Sequence, residues 1–395
     1  MAERKRIYLD YAATTPTDKR VVAAMLPYFR EFFGNPSSLH SFGQEAKRAI
    51  EEARKMVANL IGADSEEIVF TSSGTEANNF VLKGLFYSFK NSKIQIITSV
   101  IEHHSVLEPA KFLEKQGLKV IYLPVDEYGL VDLKSLEKNL TPETILVSVM
   151  LANNEIGTIQ PIKEIAEIIS NYRKKNKNSQ LPYFHTDAVQ AVGHLPIDVK
   201  ELGVDFLSLS GHKFYGPKGV GALYIRRGIK IPSLLHGGEQ EKGRRASTEN
   251  VPGIVGLGKA AEIVLKEIDL ENRRLVKLRD EFIASILNNI PKSRLNGHPT
   301  KRLPNNVNVS IFGVEGESML LSLDEAGIAC STGSACSSSS LEPSHVLTAL
   351  GLSPEAAHSS LRFTFGRDTQ KKDLDYTLQQ LVQIVERLRK ISPLK

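Results

Sequence analysis

The chain has 395 residues, 41% of them hydrophobic and 24% charged. That is room for two domains, or for one large α/β domain with a smaller companion, and an ordinary balance for a folded soluble protein. The formal charge of +5 is thinly spread, with Lys and Arg interleaved with Glu as in EEARK and VERLRK; this describes solvated helix faces, so no direct nucleic-acid binding is expected.

From the amino end, MAERKRIYLDYAATTP lacks the apolar stretch of a signal peptide and runs straight into strand-like residues. No later run is apolar enough, at roughly 18 residues, to cross a membrane. The expected location is the cytoplasm, with no membrane contact. QEAKRAIEEARKMVANLIG then sets Ala46, Ala49, Ile50, Ala53, Val57 and Leu60 at helical spacing, with Gly62 as the stop. EEIVFTSSG reads as a buried strand that breaks into small polar residues. SKIQIITSVIEHHS, LKVIYLPVD, ETILVSVMLANNEIG, LPYFHTDAVQ, VDFLSLSGHK and GVGALYI repeat that form between helical stretches. The alternation predicts an α/β fold on a largely parallel sheet. After helical segments between residues 255 and 290, RLPNNVNVSIFG, ESMLLSLDEAGIAC, LRFTFGR and the amphipathic DLDYTLQQLVQIVERLRK predict a separate, smaller α+β unit.

In open α/β sheets ligands bind beyond the carboxyl ends of the strands, and four strand ends carry informative polar residues. In VFTSSGTEANN the strand yields to a helix, so the N–H groups of Gly74 and Thr75 face a phosphate-sized space; an ordinary Ser/Thr cap explains the same residues. In YFHTDAVQ, Asp187 ends a strand with Gln190 just beyond. A carboxylate there wants a cation or a protonated ring nitrogen, and N-capping is the alternative use. In FLSLSGHKFYGPKGVGALY, Ser210, Gly211, His212 and Lys213 close a strand. A lysine at the mouth of a parallel sheet suits Schiff-base chemistry, because desolvation frees its amine. In IITSVIEHHS, His103 and His104 follow a strand as a ring-stacking residue or proton shuttle, or as plain surface. Taken together, a phosphate cradle, an acid for a pyridinium nitrogen and a Schiff-base lysine are the protein parts that a pyridoxal-phosphate enzyme needs. No GxGxxG follows the first strand, which argues against a nicotinamide enzyme.

The two cysteines lie close together, at 330 and 336. Two thiols make neither a disulfide framework nor a closed zinc site, and a disulfide between them is not expected in a reducing compartment. Cys330 ends an apolar run and reads as structural. Cys336 sits in STGSACSSSS, a composition that buries little and costs little to move. That suits a thiol that must travel.

The set YLDYAATTP, GNPSSLH, FTSSGTEANN, EHHSVL, NNEIGT, HTDAVQ, SGHKFYGPKGVGALY, STGSACSSSSLEPSHVL and SSLRFTFGR, in this order, closely resembles the cysteine desulfurases. These are fold-type-I pyridoxal-phosphate enzymes, and the long serine-rich segment resembles their iron–sulfur cluster and tRNA-thiolation branch. The resemblance covers residue 7 to the C-terminus. It implies a large α/β domain at 15–262, carrying pyridoxal 5'-phosphate, and a small α+β domain from 1–14 and 263–395. It implies that Lys213 holds the cofactor covalently, that Asp187 pairs with its ring nitrogen, and that Gln190 and Asn154 contact its ring oxygen. His103 would stack on the ring and take a proton from Cys336. Gly74, Thr75, Ser210 and His212 would hold the phosphate, with Thr248 reaching across from a second subunit of a homodimer. Asn35 and Arg362 would bind the carboxylate of L-cysteine. Cys336 would take the sulfur as a persulfide and pass it to an iron–sulfur scaffold protein or another acceptor; it is also a candidate ligand for a transient iron–sulfur cluster. Where such enzymes read Arg-Ser-Gly-Thr, this chain has Arg245, Ala246, Ser247 and Thr248, so the turn before Thr248 is expected to differ. The end of the chain, near Ser392, Pro393 and Leu394, falls in a region that helps to dock the scaffold in related proteins. Selenocysteine lyases and cysteine-sulfinate desulfinases share fold and cofactor. A transaminase, or a silent scaffold for acceptor proteins, fits the motifs less well.

Overall fold

The computed structural model describes residues 6–89, 92–176, 179–332 and 342–391. Twelve strands occur among them: β1 (Ile7–Tyr8), β2 (Ile68–Thr71), β3 (Gln95–Ser99), β4 (Lys119–Leu123), β5 (Thr144–Ser148), β6 (Tyr183–Asp187), β7 (Phe206–Ser210), β8 (Gly221–Ile225), β9 (Ser293–Leu295), β10 (Asn306–Ile311), β11 (Ile328–Ala329) and β12 (Ser360–Thr364). Seven form one sheet in the order β2-β8-β7-β6-β5-β3-β4. From β7 to β4 every pairing is parallel, as the helical crossovers demand. The short glycine-rich turn after Lys213 leaves no room for a crossover, so β8 returns antiparallel to β7, and β2 pairs antiparallel with β8. The sheet is thus mixed at this edge, and β2 still points the same way as β6 and β7.

The central strands are apolar runs because both faces are covered. Ile68, Phe70, Ile97, Val147, Leu207, Leu209, Ala222 and Tyr224 face one core, with the helices Ser41–Leu60, Ile162–Lys175 and the first half of Val251–Asn289. Their neighbours Val69, Ile96, Leu146, Phe206, Leu223 and Ile225 face the other, with Gly74–Ser88 and His104–Glu114. Each fully buried Leu, Ile or Phe contributes about 1.5–3 kcal/mol. The Ser41–Leu60 helix ends as its spacing predicts, with Gly62 at φ +67°. It meets the long helix so closely that a Cβ on Gly258 would lie 2.6 Å from Ala53 Cα.

A second sheet, β12-β10-β9, is antiparallel and packs on the far half of Val251–Asn289 with Gly316–Glu325 and Lys371–Ile391. One helix therefore belongs to two cores. The N-terminal β1 crosses to this second unit and pairs with β11.

At the outer edge of the large sheet, β2 pairs with β8 alone among the described residues, and side chains occupy the positions on its other side. The Glu241 carboxylate accepts the Phe70 N–H at 2.9 Å and pairs with Arg54 at 2.7 Å; Arg54 also donates to the Ile68 carbonyl, as does Arg244. Arg54 and Glu241 are both buried.

Candidate active site

Because β2, β6 and β7 run in one direction, their carboxyl ends bring three of the expected features to one edge. Thr71 and Ser210 both stand opposite Gly221, and Asp187 is in register with Ser208. Ser73 caps the Gly74–Ser88 helix by accepting the Glu76 N–H. A Cβ on Gly74 would collide with Val189 Cγ2 at 2.5 Å and approach Ser210 Cβ at 3.6 Å. Glycine is required there to bring the helix start against the strand end, which is how a phosphate cradle is built. Thr75 is exposed at the mouth, on a hollow of about 460 Å³ that it shares with His103 and His104.

Asp187 is buried, and each of its oxygens has a donor: Asn78 Nδ2 at 2.7 Å and the Val189 N–H at 2.9 Å. Asn78 was not legible as a site residue, since GTEANN reads simply as the first turns of a helix. It also donates to Ser105 Oγ at 2.8 Å, and Ser105 lies 2.8 Å from His103 Nδ1. His103 caps the His104–Glu114 helix through that nitrogen, which accepts the Ser105 N–H. Burial holds its imidazole below the ordinary range. The expected uptake of a proton from Cys336 therefore meets a ring whose Nδ1 is already engaged.

The amine of Lys213 donates to the carbonyls of Ala12 at 2.5 Å and Ala13 at 2.9 Å. Gln190 donates to the same Ala12 carbonyl at 3.0 Å, so one backbone oxygen brings Lys213 and Gln190 together. His212 Nδ1 lies 3.1 Å from Thr14 Oγ1, and burial, with Lys213 beside it, lowers this ring to about 4. It is therefore neutral near pH 7. Residues 12–14 form a wall of the site that side-chain patterns could not reveal, because two alanines act through their carbonyls.

Arg362 is 2% exposed on β12. It donates to the Asn154 carbonyl at 3.0 Å and pairs with Asp10 at 2.8 Å, while its Nε–H has no partner among the described residues. A buried guanidinium with a bare donor suits a carboxylate ligand. Asn154 is buried alongside. Asn35 is exposed, its Oδ1 accepts the Ser37 N–H, and it makes no hydrogen bond to Arg362 among the described residues.

Thr248 is also exposed. Arg245 pairs with Glu76 at 2.9 Å, which lays this segment near the start of the Gly74–Ser88 helix. Ser247 sits at φ +107°, a conformation that suits glycine better than serine.

Cys336 lies outside the described residues, as do Ser392, Pro393 and Leu394. The described residues on either side of 333–341 both reach the site. Ser331 exchanges backbone hydrogen bonds with Arg362. Ser344 donates to Glu155, and His345 Nε2 lies 3.0 Å from the Glu102 carbonyl. Cys330 is half-buried against the second core; burial, with Asp10 beside it, pushes its thiol well above the usual range, which suits a structural role. Glu102 was also missed. It is fully buried, accepts from Ser99 Oγ at 2.6 Å and the Met150 N–H at 3.0 Å on one oxygen, and has no partner for the other among the described residues.

A lysine amine, a carboxylate with a donor on each oxygen and a glycine-walled helix start on one sheet edge fit pyridoxal 5'-phosphate. Residues 7–377 match the aminotransferase class-V family model. The chain is 57% identical over 392 residues to a cysteine desulfurase IscS of Dictyoglomus turgidum, covering 99% of this chain and 98% of that one. It is also 57% identical to a cysteine desulfurase IscS of Methanosarcina thermophila, covering 99% and 95%. Among solved structures it is similar to a NifS-like protein, with a TM-score of 0.90 and 40% identity over 97% of this chain and all of that one. It is similar too to SspA in complex with cysteine, with a TM-score of 0.80 and 37% identity over 91% and 98%.

Proposed function

The chain belongs to the aminotransferase class-V family, among its cysteine desulfurases, and on that premise we propose that it converts L-cysteine to L-alanine and moves the sulfur onto Cys336 as a persulfide. The observation that carries this is the joining of Lys213, Asp187 and the Gly74 helix start at one edge, with the flanks of the Cys336 segment tied to Arg362 and to Glu102 beside His103. The structural relative solved with cysteine supports the substrate.

Pyridoxal 5'-phosphate supplies, when bound, the electron sink that makes the substrate's α-proton acidic and weakens its C–S bond. Lys213 would hold the cofactor through its amine, and that amine, set beside the Ala12 and Ala13 carbonyls, would take the substrate's Cα proton and later return it to the product. Asp187, fixed by Asn78 and Val189, would pair with the ring nitrogen, and His103 would lie against the ring. Gln190 and Asn154 would hold the ring oxygen, and Gly74, Thr75, Ser210 and His212 would hold the phosphate. Arg362, helped by Asn35, orients the substrate carboxylate. The Cys336 thiolate attacks the substrate sulfur: an S–S bond forms, the C–S bond breaks, and carbon keeps the electron pair and takes a proton. The persulfide sulfur then passes to an acceptor, an iron–sulfur scaffold protein or a protein of tRNA thiolation.

A homodimer is part of the proposal. Phe29, Phe33, Leu39 and Phe42 are more than half exposed beside Asn35, and Phe33 and Phe42 pack as a pair 5.9 Å apart. A second copy would cover them and bring its Thr248 to the phosphate. The division into 15–262 and 1–14 with 263–395, and a cytoplasmic location, belong to the same proposal; no helix among the described residues is long and apolar enough to cross a membrane.

The test follows alanine and sulfide from L-cysteine under reducing conditions, in wild type and Cys336→Ala. The variant is expected to keep the visible band of the bound cofactor and lose both products. Sulfide release at the wild-type rate would replace this function with that of a selenocysteine lyase or cysteine-sulfinate desulfinase.

A further inference from the structure

Asn78, Ser105 and His103 form a hydrogen-bonded chain that ends on Asp187, and every donor in it can be assigned. The Ser105 backbone N–H points at His103 Nδ1, 3.1 Å away. A backbone N–H only donates, so Nδ1 presents a lone pair and carries no proton. Ser105 Oγ lies 2.8 Å from the same nitrogen and must donate to it. That hydroxyl in turn accepts one hydrogen of Asn78 Nδ2 at 2.8 Å; the second goes to Asp187 Oδ2 at 2.7 Å. The amide cannot be reversed, because its oxygen would then face a carboxylate oxygen. Asn78 is fully buried, and its own Oδ1 has no partner among the described residues, so these two bonds alone orient the amide.

Resting on the cofactor site proposed above, we infer that Asn78 and Ser105 are positioning residues that fix His103 as the neutral tautomer with its proton on Nε2. The ring then meets the cofactor as a hydrogen-bond donor, with its one lone pair already engaged at Nδ1. The charges around the ring come from several elements: Asp187 at the end of β6 favours the imidazolium, whereas Lys213 after β7, His104 on the ring's own helix and His345 beyond the Cys336 segment oppose it. Burial opposes it most.

Neutron diffraction from deuterium-exchanged crystals of the cofactor-loaded wild type reads the assignment directly. Deuterium on His103 Nε2 and on Ser105 Oγ, with none on Nδ1, is expected; deuterium on Nδ1 overturns the inference. Ser105→Ala gives a second readout, since it deletes the hydroxyl donor and spares the backbone one. Nδ1 becomes more basic, and the His103 titration followed by NMR of nitrogen-15-labelled histidine moves up by about one pH unit. An unmoved titration removes Ser105 from the role. Neither measurement depends on turnover, so a failed desulfurase assay with deuterium on Nε2 would sink the function and leave the tautomer standing.

Discussion

Residues 10–15 reach the site from inside the protomer: Asp10 pairs with Arg362, the Ala12 and Ala13 carbonyls hold Lys213, Thr14 meets His212, and Thr15 bonds the His212 carbonyl. Residues 245–248 are held by the Arg245–Glu76 pair and a backbone turn at Ser247, with Thr248 exposed. The first segment is overdetermined, and no single contact decides its place. The second rests on fewer contacts, namely the Arg245–Glu76 pair, the Ala246 N–H on the Leu235 carbonyl and the Ser247 N–H on Gln240, and carries strain at Ser247. The contrast distinguishes the wall that one chain completes from the wall that, in the proposed dimer, a second chain uses.

The largest way to break the contrast is to weaken the firm wall. Asp10→Ala leaves the Arg362 guanidinium buried without its carboxylate, and about 3–5 kcal/mol of stability should be lost in chemical denaturation of the holoenzyme. KM for cysteine should rise as well; an unchanged midpoint would show that Asp10 does not anchor Arg362. A smaller effect is expected at the buried Glu102. Burial raises its carboxyl from 4.5 to about 8. The native state therefore keeps a proton that the unfolded chain releases above about 4.5, and this contribution to stability falls as pH rises through that window. Glu102→Gln has no proton to lose, so its Tm should gain on wild type between pH 5 and pH 8. A constant difference would mean that Glu102 is ionised in the fold. Smaller again is Arg245→Gln. The pair is partly exposed, so about 1 kcal/mol is expected from stability, with faster loss of cofactor on dialysis read from the visible band. Cofactor retention equal to wild type would detach this segment from the phosphate. Last, Ser247→Gly relieves a conformation that costs a β-carbon, and should raise stability by about 0.5–1 kcal/mol. A fall would mean that Ser247 is not strained.

Strand-end logic singled out Gly74, Asp187 and Lys213, and the structure sets them at one edge because the topology gathers the carboxyl ends of β2, β6 and β7 there. It could not find what acts through backbone. Ala12 and Ala13 contribute carbonyls, which no side-chain pattern marks. Asp10 and Arg362 are 352 residues apart and meet only because Asp10 bridges to Thr364 on β12. Asn78 was hidden by helical spacing that explained it well enough. The reversal of β8 was legible in principle, since too few residues separate Ser210 from Gly221 for a parallel crossover. At 247, where serine stands, the backbone takes a positive φ, and the Arg245–Glu76 pair and the Ser247 N–H bond to Gln240 tie down both sides of the turn.

The Arg54–Glu241 pair has a consequence for the chain's company in solution. An uncovered edge strand is a template on which other polypeptides can extend a sheet, and its free N–H and C=O groups are the means. On β2 the outward groups of Ile68 and Phe70 are already taken by a guanidinium and a carboxylate from the same chain. A foreign strand would have to displace a buried ion pair to bind there, so this rim of the sheet is closed to aggregation.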